Sequence, residues 1–135
     1  LIFKAKRMAL VSNVFYHYIQ HGDSLSWQDT AAVWQGNFQV HQRIYQRMLD
    51  AHITGPVLNS AFRGYVRSII ALLRYAIKYR QEDEYNRILK QYKPVLKQFL
   101  RTTPMSLGKK LEYVTYTTSY GLASLVHYHA TRRRS

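Results

Sequence analysis

Apolar residues recur at helical spacing through most of the chain, and the longest such stretch covers residues 57–79. Its apolar positions lie mostly three or four residues apart, which places them on one side of a helix. They are Leu58, Ala61, Phe62, Tyr65, Ile69, Leu72, Leu73, Ala76 and Ile77. The opposite side carries Arg63, Arg67, Arg74 and Lys78. The pattern predicts an amphipathic helix that buries one side in a core and exposes the other.

A shorter helical pattern precedes this stretch. Asp29 or Thr30 suits its N-cap, because a short polar side chain can accept a hydrogen bond from the first turn. Gly55-Pro56 is expected to end it, since proline cannot continue a helix. The apolar positions between these limits are Val33, Phe38, Ile44, Tyr45, Met48 and Leu49.

A third helix is predicted to begin at residues 82–84, where three acidic side chains suit the positive end of the helix dipole. Its apolar stripe consists of Tyr85, Ile88, Leu89, Tyr92, Leu96, Phe99 and Leu100. Pro94 lies inside this pattern and lacks the N–H that an interior helical position needs. It is therefore expected to kink or split the helix near residues 92–93.

The last segment opens after Thr103-Pro104, and Ser106 can cap a fourth helix. The residues through which that helix would run include Lys109, Leu111, Val114, Leu122 and Leu125. Residues 115–118 have strand propensity, which works against a continuous helix. Residues 113–131 contain no Lys, Arg, Asp or Glu, but they are too rich in Thr, Ser and His to span a bilayer. They could still lie on a membrane surface.

The first thirty residues follow a different pattern. Residues 7–19 are rich in β-branched and aromatic side chains at alternating positions, which predicts a short strand or two. Residues 21–24, His-Gly-Asp-Ser, are typical of a turn. The predicted fold class is mainly α, a bundle of three to four helices preceded by a short extended or β segment. A domain boundary is predicted between residues 1–29 and residues 30–135.

Composition narrows the functional classes. The chain has 135 residues, enough for a single core, and 47 % of them are hydrophobic, which excludes a disordered basic tail. It contains no cysteine, so disulfides, thiolate metal sites and a cysteine nucleophile are excluded. The sequence contains no phosphate-binding glycine loop, nucleophile elbow or His-Glu-x-x-His motif.

The charge is strongly basic, with 20 Lys and Arg against 7 Asp and Glu and a net charge of +13. Three interpretations stay open. The cations can simply be solvated helix faces, they can bind nucleic acid, or they can bind the anionic leaflet of a membrane. Most of the 12 tyrosines fall on apolar stripes, which favours the core over stacking on bases.

Six histidines raise the question of a metal site. His17 and His21 would share a face if the predicted strand continued that far, and His127 and His129 would share one in a strand. Neither pair has a carboxylate at the spacing typical of metal ligands, and two ligands make a weak site.

One phrase in the N-terminal part is more specific. It reads Tyr18-Ile19-Gln20-His21-Gly22-Asp23-Ser24-Leu25. This phrase resembles the end of the catalytic domain in bacterial family-2 glycosyltransferases, in which a Tyr-rich strand end is followed by Arg or His, a small turn and Ser. The resemblance covers about a fifth of the chain. It implies a GT-A nucleotide-sugar fold for residues 1–29, followed by a helical C-terminal domain.

The resemblance also implies roles for three side chains. His21 matches the position near the donor diphosphate, where an imidazole can bind a divalent cation, Mn²⁺ or Mg²⁺, or contact the leaving phosphate. Tyr18 and Ser24 would line the same substrate-binding loop. Ile19 stands where many members carry Arg, so no phosphate contact is expected from it. The alternative remains that His21 caps a turn and Ser24 caps the next segment.

The resemblance leads to the prediction of a C-terminal glycosyltransferase fragment in cell-surface polysaccharide synthesis. It would transfer sugar from a nucleotide-diphosphate donor to a glycan or lipid-linked acceptor. The Asp-x-Asp motif and the general base are expected upstream of Leu1, so the fragment alone is expected to be inactive. Its expected location is cytoplasmic, peripheral at the inner membrane face. The basic, Tyr-rich segment after Lys109 is expected to face the lipid. The alternatives are a basic helical nucleic-acid-binding module, the less favoured, and a helical adaptor.

Overall fold

The computed structural model describes residues 29–132, and side chains through residue 129. This part of the chain forms five helices and contains no strand. They are α1 (Ala31–Asp50), α2 (Pro56–Lys78), α3 (Glu82–Thr102), α4 (Leu107–Tyr116) and α5 (Tyr120–Arg132). The mainly α fold class is confirmed. The extended segment and the turn predicted within residues 7–24 lie outside the described residues, and the domain boundary at residue 29 stays a prediction.

Helix α2 is the centre of the fold. It packs against α1 and α3 along its length, and α4 and α5 contact it near its C-terminal half. Its buried side agrees with the predicted apolar face, and the four predicted basic positions are all exposed. The residues buried in α2 are Phe62, Tyr65, Val66, Ser68, Ile69, Ile70, Leu72, Leu73, Ala76 and Ile77. An amphipathic helix of this kind becomes the centre when its neighbours cover nearly all of its apolar surface.

The start of α1 is held on the end of α2. Thr30 is the N-cap, and its hydroxyl accepts a hydrogen bond from the Val33 N–H. The neighbouring Asp29 carboxylate accepts hydrogen bonds from the Trp34 indole (2.6 Å) and the Tyr79 hydroxyl (3.1 Å), and it pairs with Lys78. These bonds hold the start of α1 against the C-terminal end of α2.

The expected end of α1 is wrong by five residues. The helix stops at Asp50, and Gly55-Pro56 instead begins α2, with Pro56 in its first turn. After Asp50, the His52 N–H bonds the Leu49 carbonyl and the Ile53 N–H bonds the Met48 carbonyl, while His52 has φ +53°. This is a Schellman motif, which normally has glycine at the left-handed position. Because His52 occupies that position, the sequence lacks the glycine that usually marks the end of a helix.

Helix α3 is continuous across Pro94, so the expected split does not occur. The acidic residues predicted to begin it do so, starting at Glu82. Its apolar stripe faces α2, with five of the seven predicted positions buried and the other two, Tyr92 and Leu100, partly buried. Packing of this stripe holds the helix together, although Pro94 can donate no hydrogen bond to the preceding turn.

The predicted fourth helix is two helices. Helix α4 ends at Tyr116, and α5 begins at Tyr120. The hydroxyls of Thr117 and Thr118 donate hydrogen bonds to the carbonyls of Val114 and Thr115, both at 2.8 Å. The Ser119 hydroxyl then accepts from the Leu122 N–H and starts α5. Side-chain oxygens of this kind compete with the helical hydrogen bonds of the backbone, which is the physical reason for the break.

Candidate membrane-binding surface

The substrate-binding residues inferred from the resemblance, Tyr18, His21 and Ser24, lie outside the described residues. So does the metal role of His21. His127 and His129 lie two positions apart on α5, about 200° around the helix, and do not share a face. Within residues 29–129, no three metal-binding side chains come together. The surface with the clearest chemical character in the described part is the outer side of α4 and α5.

Helix α4 presents apolar side chains away from the core. Tyr116 is its buried residue, and Leu107, Leu111 and Val114 lie on the opposite side of the helix. Leu107 is 73 % exposed and Leu111 is 59 % exposed. Isolated exposed aliphatic side chains are common on proteins, but three on one face of a ten-residue helix form a stripe.

Helix α5 also exposes aliphatic side chains. Ala123 is buried against the core, and the exposed aliphatic residues are Leu122, Leu125 and Val126, about 100°, 160° and 60° from Ala123 around the helix. Leu125, nearly opposite Ala123, is 61 % exposed. We call these three, with Leu107, Leu111 and Val114, the outer aliphatic residues. They outnumber the exposed large hydrophobics on α1, α2 and α3 combined, which are Val40, Leu49 and Val57. A further one, Tyr79, directly follows α2.

The charges around this surface are few. No Lys, Arg, Asp or Glu occurs between Glu112 and Arg132. Lys110 is exposed and lies within about 60° of Leu107 and Val114 around α4. Lys109 is turned the other way and pairs with Glu112 at 3.2 Å. The outer side of α4 is therefore apolar with a cation at its edge.

A polar network on the inner side holds α4 and α5 against α2 and α3. Arg74 on α2 pairs with Glu112, and its Nε donates to the Tyr116 hydroxyl at 3.2 Å. The fully buried Tyr85 on α3 donates its hydroxyl hydrogen to the Tyr116 carbonyl at 2.9 Å. Burial raises the pKa of the Tyr85 hydroxyl, so it stays a donor.

His127 completes this network from α5. Its Nδ1 lies 3.5 Å from the Tyr116 hydroxyl. Burial lowers the pKa of the His127 imidazole, and the positive charges of Arg74 and Lys78 lower it further. The neutral ring is thus favoured at the point where α5 meets α2.

The tyrosines of this segment are mostly turned inward. Tyr116 is buried, Tyr113 and Tyr120 are partly buried, and Tyr128 is exposed. Tyr113 packs on Phe99, and Tyr120 packs edge-on against Tyr85. The expectation of a Tyr-rich surface after Lys109 therefore needs correction, because the exposed apolar groups are chiefly leucine and valine.

The sequence pattern could not show which side of α4 would be outside. Its aliphatic stripe and its tyrosine stripe are both apolar, and the predicted fourth helix runs through Leu111, Val114, Leu122 and Leu125. The structure buries Tyr116 and Ala123 instead. The only available signal was the opposed placement of Leu107, Leu111 and Val114 relative to Tyr113 and Tyr116 on a helical projection.

A second exposed feature is basic. Lys90, Lys93, Lys97 and Arg101 lie three or four residues apart along the solvent side of α3, a line of roughly 16 Å. Within the described part of the chain, none of the four is paired with a carboxylate. We call these four residues the α3 basic stripe.

In residues 29–132, no helix combines the length and the apolar content needed to cross a bilayer. Comparisons of the chain with protein-family models, with curated proteins and with solved structures find no match. The outer surface of α4 and α5 is therefore interpreted from its own chemistry.

Proposed function

We propose that the helical domain is a peripheral membrane-binding module, and that the chain is the C-terminal part of a family-2-like glycosyltransferase. That enzyme would transfer sugar from a nucleotide-diphosphate donor to a glycan or lipid-linked acceptor at the membrane surface. The observation that carries the membrane part is the set of six outer aliphatic residues on α4 and α5. The transferase part is supported by the resemblance of residues 18–25.

The energetics favour a lipid surface as the partner. Full burial of a leucine side chain contributes about 1.5–3 kcal/mol, so even partial insertion of several outer aliphatic residues gives measurable affinity. Lys110 at the edge of the stripe adds about 1 kcal/mol near an anionic leaflet. Two short helices that lie flat in the interface need no spanning length.

Vesicle co-sedimentation of the 135-residue chain tests the membrane part. We expect binding to vesicles of phosphatidylcholine with phosphatidylglycerol, and weaker binding to phosphatidylcholine alone. Leu111→Gln and Leu125→Gln should each lower the partition coefficient about tenfold, because each removes an aliphatic side chain from the interface. Val57→Gln is the matched control, since Val57 is 56 % exposed but lies at the start of α2.

Charge provides a separate arm of the same experiment. Lys110→Gln should weaken binding to anionic vesicles about fivefold and leave binding to neutral vesicles unchanged. Raising the salt concentration should act in the same direction. No binding to either kind of vesicle, or equal losses in Leu111→Gln and Val57→Gln, would overturn the membrane proposal. Equal, salt-insensitive binding to both kinds of vesicle would overturn the contribution assigned to Lys110.

The transferase part has its own test. The gene sequence before the Leu1 codon should encode about 200 residues of alternating strands and helices with an Asp-x-Asp motif, a length typical of one domain. A start codon immediately before Leu1 would overturn it. In the whole enzyme, His21→Ala should raise the Mn²⁺ concentration needed for half-maximal activity, because His21 would help to hold the metal ion. That ion stabilises the charge that develops on the departing diphosphate.

The α3 basic stripe favours a second candidate, a nucleic-acid-binding module. Four cations in a line of roughly 16 Å match the repeated negative charge of a phosphate backbone. Fluorescence anisotropy with a single-stranded oligonucleotide should then show affinity that falls steeply as the salt concentration rises. The double variant Lys93→Gln/Lys97→Gln should reduce the slope of log affinity against log salt concentration. Binding that is weak and unaffected by these variants would exclude this candidate.

A further inference from the structure

Helices α1 and α3 pack on neighbouring sides of α2 and leave an open cleft between them. The larger part of the cleft has a volume of about 710 Å³ and lies at the end where α1 and α3 begin. A smaller part continues along the same helices toward Tyr92. Both parts are lined by Gln35, Leu72, Glu84, Arg87 and Ile88, which makes them one elongated depression.

The α1 wall of the cleft is made of amides. Gln35, Gln39 and Gln42 occupy positions four and three residues apart, so they lie on one side of the helix over roughly 10 Å. Gln35 and Gln39 are exposed, and within residues 29–129 neither side chain has a hydrogen-bond partner. Each amide offers a carbonyl acceptor and two N–H donors to a ligand.

The α3 wall carries a fixed ion pair. The Arg87 guanidinium donates two hydrogen bonds to the Glu84 carboxylate, at 2.7 and 2.5 Å. This pairing lowers the pKa of the Glu84 carboxyl. The two charges largely cancel, and the free edges of both groups can still bond hydroxyls.

Aromatic rings stand at the two ends of the cleft. Tyr75 lines the larger part and Tyr92 lines the smaller part, and each is partly exposed. Both are held in place by other rings, Tyr75 by Tyr79 at 4.5 Å between centroids and Tyr92 by Phe38 at 5.2 Å. Held rings of this kind offer apolar faces with little loss of conformational freedom on binding.

The charge of the cleft argues against an ionic ligand. The lining of the larger part contains two arginines, Arg80 and Arg87, and three carboxylates, those of residues 82–84. The whole chain has a net charge of +13, but the side chains that line this part of the cleft carry no net positive charge. The net charge of this lining is about −1, so a phosphate or a carboxylate would be repelled. A cation would gain only the weak attraction of one uncompensated charge, because Glu82 and Asp83 are exposed to water.

The floor argues against a hydrophobic anchor. Phe38, Leu72 and Ile88 are each less than a tenth exposed, so a partner helix or peptide would find little apolar surface to cover. What remains accessible is amide, guanidinium, carboxylate and the faces of two tyrosines. This combination suits a ligand with many hydroxyl groups and flat C–H faces but no charge.

We infer that the cleft between α1 and α3 binds a neutral oligosaccharide. The inference rests on the proposed function in one respect, in that such a glycan would be part of the acceptor. The hydroxyls would bond Gln35, Gln39 and the Arg87–Glu84 pair, and the C–H faces would stack on Tyr75 and Tyr92. The site is separate from the outer aliphatic residues, which lie on α4 and α5.

The test is a titration of the full 135-residue chain, labelled with ¹⁵N, with maltotriose, cellotriose and chitotriose. We expect saturable shifts of the amide signals at residues 35–42 and 84–92 with at least one of the three. The double variant Gln35→Ala/Gln39→Ala should weaken that binding at least fivefold. Gln98→Ala, an exposed amide on α3 outside the cleft, should leave it unchanged. Alanine is the best helix former, so both variants should stay folded.

Two outcomes would overturn the inference: no saturable shift with any of the three saccharides, or equal affinity in the double variant and the wild type. Occupation of the cleft by residues 1–28 would also overturn it. Because the chain has no cysteine, a spin label on Gln39→Cys can detect this as broadening of the signals of residues 1–28. The Leu111→Gln variant should bind vesicles about tenfold more weakly and keep its saccharide binding, so the two proposals fail independently.

Discussion

Arg74 donates a hydrogen bond from Nε to the hydroxyl of Tyr116, which lies 42 residues later in the chain. The Arg74 guanidinium also lies 5.1 Å from the centre of the Tyr116 ring and pairs with Glu112. One side chain on α2 therefore makes three interactions with α4. These interactions turn the tyrosine side of α4 inward, and Leu107, Leu111 and Val114 consequently face outward.

Arg74→Ala should destabilise the fold by about 1–2 kcal/mol, because it removes a cation–π contact and an ion pair that are each worth about 0.5–1 kcal/mol. Urea unfolding followed by circular dichroism measures this change. The matched control is Arg67→Ala on the same helix, which should change stability by less than about 0.5 kcal/mol. Equal effects of the two variants would show that Arg74 does not hold α4.

Acidification should destabilise the contact between α5 and α2 through His127. The pKa of the His127 imidazole is lowered in the folded chain, below its usual value of about 6.5, so the unfolded chain binds more protons. The contribution of His127 to the free energy of unfolding is then fully present above pH 6.5, and it falls as the pH drops from there to the pKa of the imidazole in the folded chain. His127→Gln should remove this part of the pH dependence of urea unfolding.

The exposed His129 on the same helix provides the control for that experiment. His129→Gln replaces an exposed imidazole, so at neutral pH it should change the free energy of unfolding by less than about 0.5 kcal/mol. If both variants keep the wild-type slope, the pH dependence arises elsewhere in the chain.

Replacing the left-handed residues by glycine should stabilise the chain. His52 and Arg80 have φ of +53° and +55°, and both follow a helix that ends in a Schellman motif. A non-glycine residue in this conformation costs about 1–2 kcal/mol, and glycine loses some of that gain through its freedom in the unfolded chain. His52→Gly should therefore raise the free energy of unfolding by about 0.5–1 kcal/mol. His52→Ala, which keeps the strained backbone, should give no gain.

Two helical glycines should respond differently to alanine. A Cβ on Gly36 would meet nothing within 4 Å, whereas one on Gly64 would lie 2.9 Å from Nδ1 of His41 on α1. Gly36→Ala should stabilise the chain by about 1 kcal/mol through helix propensity. Gly64→Ala should gain less or become destabilising, because the His41 ring must move. Equal gains in thermal unfolding would mean that α1 and α2 do not approach closely there.

The sequence predicted the elements whose signals are local. The starts of α1 and α3 follow from Thr30 and from the acidic residues beginning at Glu82, and the buried side of α2 follows from its periodicity. Tyr18, His21 and Ser24 stay predictions from the resemblance, since they lie outside the described residues. The end of α1 was missed because histidine occupies the position where glycine would have marked it.

By itself, the sequence determined a mainly α chain with an amphipathic central helix, since helical periodicity and caps depend on neighbours within a few residues. The tertiary structure alone decided which of two apolar sides of α4 is buried. Contacts of Tyr116 with Arg74 and Tyr85 select the tyrosine side, and those partners lie more than 30 residues away. It also placed the glutamines of α1 opposite the Arg87–Glu84 pair, because a cleft exists only once α1 and α3 have both packed on α2.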